Sequence, residues 1–528
     1  MVRKFFFVSA AVLPILILVV ATRWPQALLL FVVVGPYIAL GLHDITQKKH
    51  ALLRVYPVIG HGRYMMEFLR PEIQQYFVET NIDGTPFSRE FRSVVYQRAK
   101  GDLDTRPFGT QHDVNRIGYE WMNHSMNPKP AMEEEPKIQF GGPDCEKPYL
   151  SSHLNISAMS FGSLSKNAIL ALNLGAKQGG FAHNTGEGGI SPYHTRHGGD
   201  LIWQIGTGYF GCRTPDGAFD LELYSQNAQR DQVKMIEIKL SQGAKPAHGG
   251  ILPGEKVNAE IAEIRNVPIG RDVISPPGHS AFTNPVGLLE FVAQLRRASG
   301  GKPVGFKLCI GYRSEFLGIC KAMLDTGILP DFITIDGAEG GTGAAPLELS
   351  NSVGTPMRDG LIFVHSALAG IGVRDQIRLV TAGKLSTAFH IFRALALGAD
   401  TCNSARAMMF ALGCIQARRC NDNSCPVGVA TQDPTRTQGL VVQDKARRVA
   451  EYHRATIHSL MELVGAAGLD SPDEIDQHHI LRRVDAFTIR HFGDLYPFLS
   501  EKRLLVTEEL AEPWHSEWKI ARADAWVH

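Results

Sequence analysis

Between residues 154 and 404 the chain repeats one pattern: a short apolar run, a glycine or polar turn, then a stretch of helical character. The runs fall at 154–160, 181–185, 201–206, 235–240, 304–309, 332–336, 378–382 and 400–404. Eight strands alternating with helices predict a closed (β/α)8 TIM barrel. A doubly wound open sheet is the alternative. It places a glycine-rich nucleotide loop after its first strand, and no G-x-G-x-x-G stands there. Outside this region the pattern is helical, at 65–78 and, highly charged, at 444–464.

The amino terminus departs from that pattern. Residues 5–22 are apolar apart from Ser9 and Thr22, and 24–42 carry no charge. Each stretch is long enough to cross a bilayer core. A signal peptide competes for the first, with Arg3 and Lys4 ahead of it, but the second stretch favours a transmembrane helical hairpin turning at Arg23 with Trp24 at an interface. Arg3, Lys4, Lys48, Lys49 and Arg54 flank its outer ends and place both on the cytoplasmic side. A hairpin buried in a soluble domain is the other reading. The domain expectation is a membrane anchor over 1–48, a covering segment over 49–145, the barrel over 146–440 and a helical extension over 441–528.

Composition adds little beyond a globular body: 44% of residues are hydrophobic, and 54 basic residues against 53 acidic ones give no basic surface for nucleic acid. The cysteines say more. Cys414, Cys420 and Cys425 are spaced C-x5-C-x4-C in a turn-rich segment followed by Pro426, whereas Cys145, Cys212, Cys309, Cys320 and Cys402 are scattered. Three thiols without a fourth suit a three-iron iron–sulfur cluster, with zinc or ordinary buried thiols as competing readings. Eight cysteines in 528 residues are too sparse for a disulfide scaffold. Small residues at the ends of strands six, seven and eight (Gly340–Ala345, Gly383, Ala405) predict backbone contacts to a phosphate at the barrel rim. His194 and His197 lie in a glycine- and proline-rich loop without an acidic partner at helical spacing, which speaks against a metal pair.

Four segments resemble the flavin domain of glutamate synthase: SAMSFGSLSK at 157–166, NTGEGG at 184–189, KLSQGAKP at 239–246 and the cysteine segment through 434. The likeness runs over about 110–440 and implies a barrel holding FMN with a [3Fe-4S] cluster beside it. It assigns Ala158, Met159 and Ser160 to the flavin ring, Asn184 and Gln204 to its pyrimidine edge and Lys307 to its N1 side. Gly341, Gly343, Gly383 and Ala405 are assigned to its phosphate. Lys245 and Arg265 are implied to bind substrate carboxylates and Glu187 to move protons, with a paired lysine and a surface arginine as the plain readings of Lys307 and Arg265. The implied reaction condenses ammonia, or another amine donor, with a 2-oxo acid such as 2-oxoglutarate and reduces the imine. Arg418 and Arg419 would offset cluster charge.

The sequence also departs from that pattern. Ile251 stands where the family has glutamine, His248 where it has an acid, and Gly278-His279-Ser280 replaces a proline–histidine–histidine run, so a different oxo acid or imine is an alternative. A non-catalytic electron-transfer module is the third reading. Without a glutaminase nucleophile at Met1-Val2 or a nicotinamide fingerprint, electrons are expected from an external donor, a ferredoxin or reductase subunit.

Overall fold

The computed structural model describes residues 2–506 and 510–528. It divides into two compact units, Met1–Arg89 and Glu90–His528.

In the first unit, helix α1 (Val2–Ala21) and a 3-10 turn at Pro25–Leu30 lead into helix α2 (Phe31–Thr46). The expected second span therefore begins as a tighter 3-10 turn, set by Pro25 at its first position. Phe6 packs where Gly41 has no side chain, since a Cβ there would lie 2.0 Å from the ring. Ser9 Oγ lies 2.6 Å from Tyr37 Oη across the pair. Only 11% of each apolar window is buried. The length and apolarity of both helices suffice to cross a membrane.

All eight expected strands form in the second unit: β1 (Leu154–Ile156), β2 (His183–Asn184), β3 (Leu201–Ile205), β4 (Val233–Lys239), β5 (Val304–Leu308), β6 (Phe332–Asp336), β7 (Arg378–Ala382) and β8 (Thr401–Ser404). They pair in parallel, in sequence order, and β8 closes on β1 through Cys402 and Leu154. Every residue of β3, β5 and β6 is buried, as a sheet covered by helices requires. The run at 154–160 stays a strand only to Ile156. Beyond it, Ser157 N donates to Ser404 O and Met159 N to Asn184 O, which turns the chain over the barrel mouth.

Helix α3 (Lys166–Gly179) follows, capped by Ser165 Oγ accepting from Ala168 N at 3.2 Å. Between β4 and β5 the chain makes a long excursion at the mouth, a small hairpin pairing Ile251–Leu252 with Val273–Ile274 and helix α4 (Ala259–Arg265). Helix α5 (Val442–Ala466) lies on α3, where a Cβ on Gly175 would come 2.8 Å from Ala446 O. The segment ahead of the barrel and the extension behind it share a sheet, Glu120–Met122 pairing with Ile480–Arg483 and that strand with Ile489–His491.

Candidate active site

The barrel mouth collects charge at the carboxyl ends of its strands, where barrel enzymes carry their chemistry. Glu187, from the loop after β2, accepts a hydrogen bond from Lys239 Nζ at 2.6 Å. Lys239 ends β4. Gly206 and Gly250 leave room for the carboxylate: a Cβ on Gly206 would lie 2.7 Å from Glu187 Oε2, and one on Gly250 2.6 Å from Oε1. Burial favours the neutral acid, but Lys239, Lys245 and Arg265 outweigh it and hold Glu187 below its ordinary pKa.

Lys245 and Arg265 come from the excursion after β4 and are 2% and 5% exposed, which removes the surface-arginine reading. Burial pushes Lys245 down to about 8 and Arg265 down to about 10, with Glu187 opposing both. Arg265 Nη2 donates to Phe161 O at 3.0 Å and Ser160 Oγ at 3.3 Å, and its guanidinium lies 5.2 Å from the centre of the Phe210 ring. Its Nε is buried without a partner, and among the described residues the Lys245 ammonium has no hydrogen bond. One carboxylate therefore faces three cationic side chains, and two of those have unused donors. That arrangement attracts an anionic substrate.

His279 frames the same pocket. Its Nε2 lies 2.9 Å from Lys239 O and its Nδ1 3.1 Å from Tyr209 Oη. Burial pushes it down to about 4, so the ring is neutral; the carbonyl can only accept, which makes Nε2 the donor and Tyr209 Oη the donor to Nδ1. Sequence reasoning treated His279 only as a departure and Lys239 only as the first residue of a family-like segment, without a role. The available signal for Lys239 was its place at the head of the KLSQGAKP segment, near the end of the expected strand 235–240.

Beneath the mouth, Glu237 on β4 is buried and accepts from Asn184 Nδ2 at 2.8 Å, Gln204 Nε2 at 2.5 Å and Thr334 Oγ1 at 2.7 Å. Each amide nitrogen keeps a second proton for another acceptor. Lys307, in register with Lys239, lies 3.2 Å from Asp336 Oδ2. Burial favours its neutral form, but Asp336 and Glu237 overcome that and raise its pKa, so Lys307 is a paired lysine and charged. Ala158, Met159 and Ser160 form the turn over β1, with a Cβ on Gly186 only 2.8 Å from Ser160 N.

Where β6, β7 and β8 end at the same mouth, a Cβ on Gly341 would lie 2.8 Å from Arg406 Nε, and one on Gly383 3.0 Å from Glu339 Oε1. Arg406 Nη2 donates to Glu339 O at 2.8 Å, and Ala405 precedes the helical turn that Arg406 begins. A Cβ on Gly343 would lie 3.2 Å from Ser163 Oγ and 3.9 Å from Cys420 O. The glycine turn after β6, the turn after β1 and the cysteine segment thus meet. These bare backbones beside a guanidinium fit a phosphate group.

In the cysteine segment, Cys425 is buried and Cys414 and Cys420 are half-buried. Gln416 N donates to Cys414 Sγ at 3.4 Å, and Tyr96 Oη donates to Cys414 O at 2.6 Å. Burial pushes the Cys414 thiol up to about 12, with the other two cysteines adding to it and Arg92 opposing. Arg418 and Arg419 are exposed; Arg92 acts on the Cys414 thiol and Lys256 on that of Cys420, and the sequence reading named neither. Among the described residues no three His, Cys, Asp or Glu side chains are gathered as a metal-ion site. His194 caps its own short helix by accepting from Ser191 N.

A parallel barrel with its charges gathered at one mouth defines an enzyme of the α/β-barrel class. Comparison with known proteins narrows it. The conserved region in glutamate synthase matches residues 122–470. The glutamate synthase large subunit-like protein YerD of Bacillus subtilis is 39% identical over 86% of this chain and 94% of its own length. The archaeal glutamate synthase [NADPH] of Methanocaldococcus jannaschii is 36% identical over 62% of this chain and 61% of its own. The chain belongs to the glutamate synthase family, as a glutamate synthase-like oxidoreductase. It spans only 20% of the glutamate synthase [NADPH] large chain of Bacillus subtilis, at 34% identity.

Proposed function

We propose that this chain is a membrane-anchored FMN and iron–sulfur oxidoreductase that aminates a 2-oxo acid reductively, 2-oxoglutarate to L-glutamate in the first instance. The observation that carries the reading is the Glu187 carboxylate held among Lys239, Lys245 and Arg265 at the barrel mouth. Lys245 and Arg265 bind the carboxylates of the oxo acid. Glu187, ionised by its three neighbours, accepts a proton from ammonium or from the adding amine as the imine forms. Lys239 holds Glu187 in place, and neutral His279 fixes the backbone of Lys239.

FMN, when bound, supplies hydride to the imine carbon. Ala158, Met159 and Ser160 would lie along its ring, Asn184 and Gln204 would offer their second amide protons to its edge, and Lys307 would set positive charge beside it. Gly341, Gly343, Gly383 and Ala405 would take its phosphate. Cys414, Cys420 and Cys425 would hold a [3Fe-4S] cluster that takes electrons from an external donor, a ferredoxin or reductase subunit. Helices α1 and α2 would anchor the protein with its barrel on the cytoplasmic side.

The test is product analysis. Purified protein with ammonium and a chemically reduced electron donor should form L-glutamate from 2-oxoglutarate, and failure with every 2-oxo acid offered would leave an electron-transfer module as the better reading. A second reading, another oxo acid or imine, is favoured by Ile251 in the excursion that carries Lys245. Ile251→Gln should then lower KM for 2-oxoglutarate several-fold; an unchanged KM would remove Ile251 from specificity.

A further inference from the structure

Lys256 lies on a 3-10 turn between the Ile251–Leu252 strand and α4, and it is 2% exposed. A buried ammonium is costly unless every proton finds an acceptor. Here all three do: Nζ donates to Cys420 O at 2.6 Å, Ala430 O at 3.0 Å and Ser163 O at 3.2 Å. Those carbonyls belong to the cysteine segment, the stretch behind it and the turn after β1. The same junction is tied elsewhere by neutral bonds, Gln432 Nε2 donating to Gly162 O and Leu164 O and Ser165 N to Val429 O. Anchoring the loop therefore does not need a charge. What the lysine adds is a positive charge, which burial opposes and the neighbouring Cys420, Cys425 and Asp422 favour, held by one thiol-bearing residue's own carbonyl.

We propose that Lys256 is a positioning residue that raises the reduction potential of the iron–sulfur cluster by placing a buried cation against its Cys420–Cys425 side. This rests on the cluster assigned above. Three thiolates and four sulfides leave such a cluster anionic, and an added electron makes it more so, so a nearby cation favours the reduced form. The lysine leaves from the excursion that also carries Lys245 and Arg265, which ties the electron-accepting side of the site to its substrate side through one segment.

The experiment is an EPR-monitored redox titration of the full-length holoprotein, comparing wild type with Lys256→Gln, Lys256→Met and Lys256→Arg. Gln keeps hydrogen bonding without charge, Met keeps neither, and Arg keeps both. The expected result is a cluster retained in Lys256→Gln with its reduction equilibrium shifted about tenfold toward the oxidised form, 59 mV for a one-electron couple. Lys256→Arg should recover most of that shift. An unchanged potential in Lys256→Gln with iron retained would overturn the role of Lys256 alone. Loss of folded holoprotein in both neutral variants, with Lys256→Arg intact, would also overturn it, making the lysine a builder of the site and not a tuner of its potential. Wild-type protein free of iron after anaerobic reconstitution would overturn the cluster, and this role with it.

Discussion

Lys245 is the residue whose protonation should be visible in kinetics. Burial brings it down to about 8, so its charge is present below that pH and lost above it. For the free enzyme, kcat/KM toward the oxo acid should fall as pH rises through about 8, and Lys245→Arg should move that limb to higher pH. A limb that stays in place in the variant would assign it to another group. Stability has its own sign: the folded pKa lies below the ordinary 10.5, so the buried ammonium opposes folding below about 8, and that penalty fades between about 8 and 10.5. At this scale the sequence was partly legible. Glu187 and Lys245 stand in segments that carry the family likeness and Arg265 was assigned by the same likeness outside them, and the three do converge. Lys239 and His279 were seen without a role and Lys256 was not seen, because their contacts join distant segments, such as Lys256 with Cys420, that no local spacing encodes.

The elements that build the pocket do so by leaving side chains out. Gly206 follows β3 and Gly250 precedes the Ile251–Leu252 strand, and both face the Glu187 carboxylate. Gly206→Ala or Gly250→Ala should therefore displace that carboxylate and lower kcat by on the order of tenfold to a hundredfold, while the thermal midpoint stays within a few degrees. Steady-state rates with melting curves check this, and an unimpaired rate would mean the carboxylate has room to shift. Gly243 differs in kind, because a Cβ there would come 1.6 Å from Gly337 O, a backbone atom that cannot give way. The strands were legible as short apolar runs, but not their ends. The run over 154–160 mixes apolar and polar residues both in its strand and in its turn, and pairing with β2 and β8 decides where it bends. The sheet joining Glu120–Met122 to Ile480–Arg483 was invisible for the same reason. Its Glu120 is bound by Arg358, Arg393 and Arg482 at 2.7, 2.8 and 3.0 Å.

At the scale of the whole molecule, the chain divides into an amino-terminal unit, Met1–Arg89, that begins with two apolar helices, and a second unit that holds the barrel. Deleting residues 1–45 should release a soluble protein that keeps its flavin spectrum; fractionation with membranes after the deletion would contradict the anchor. The catalytic unit then has to stand on its own chemistry, and its central claim is that the charges around Glu187 serve amination of an oxo acid. The most direct measurement is single-turnover reoxidation of the anaerobically reduced protein, followed by absorbance with product quantified. The account predicts rapid flavin reoxidation only when 2-oxoglutarate and ammonium are both present, with one L-glutamate formed per flavin, and loss of that reaction in Glu187→Gln. Reoxidation indifferent to both compounds, or no amino acid formed from any 2-oxo acid, would contradict it.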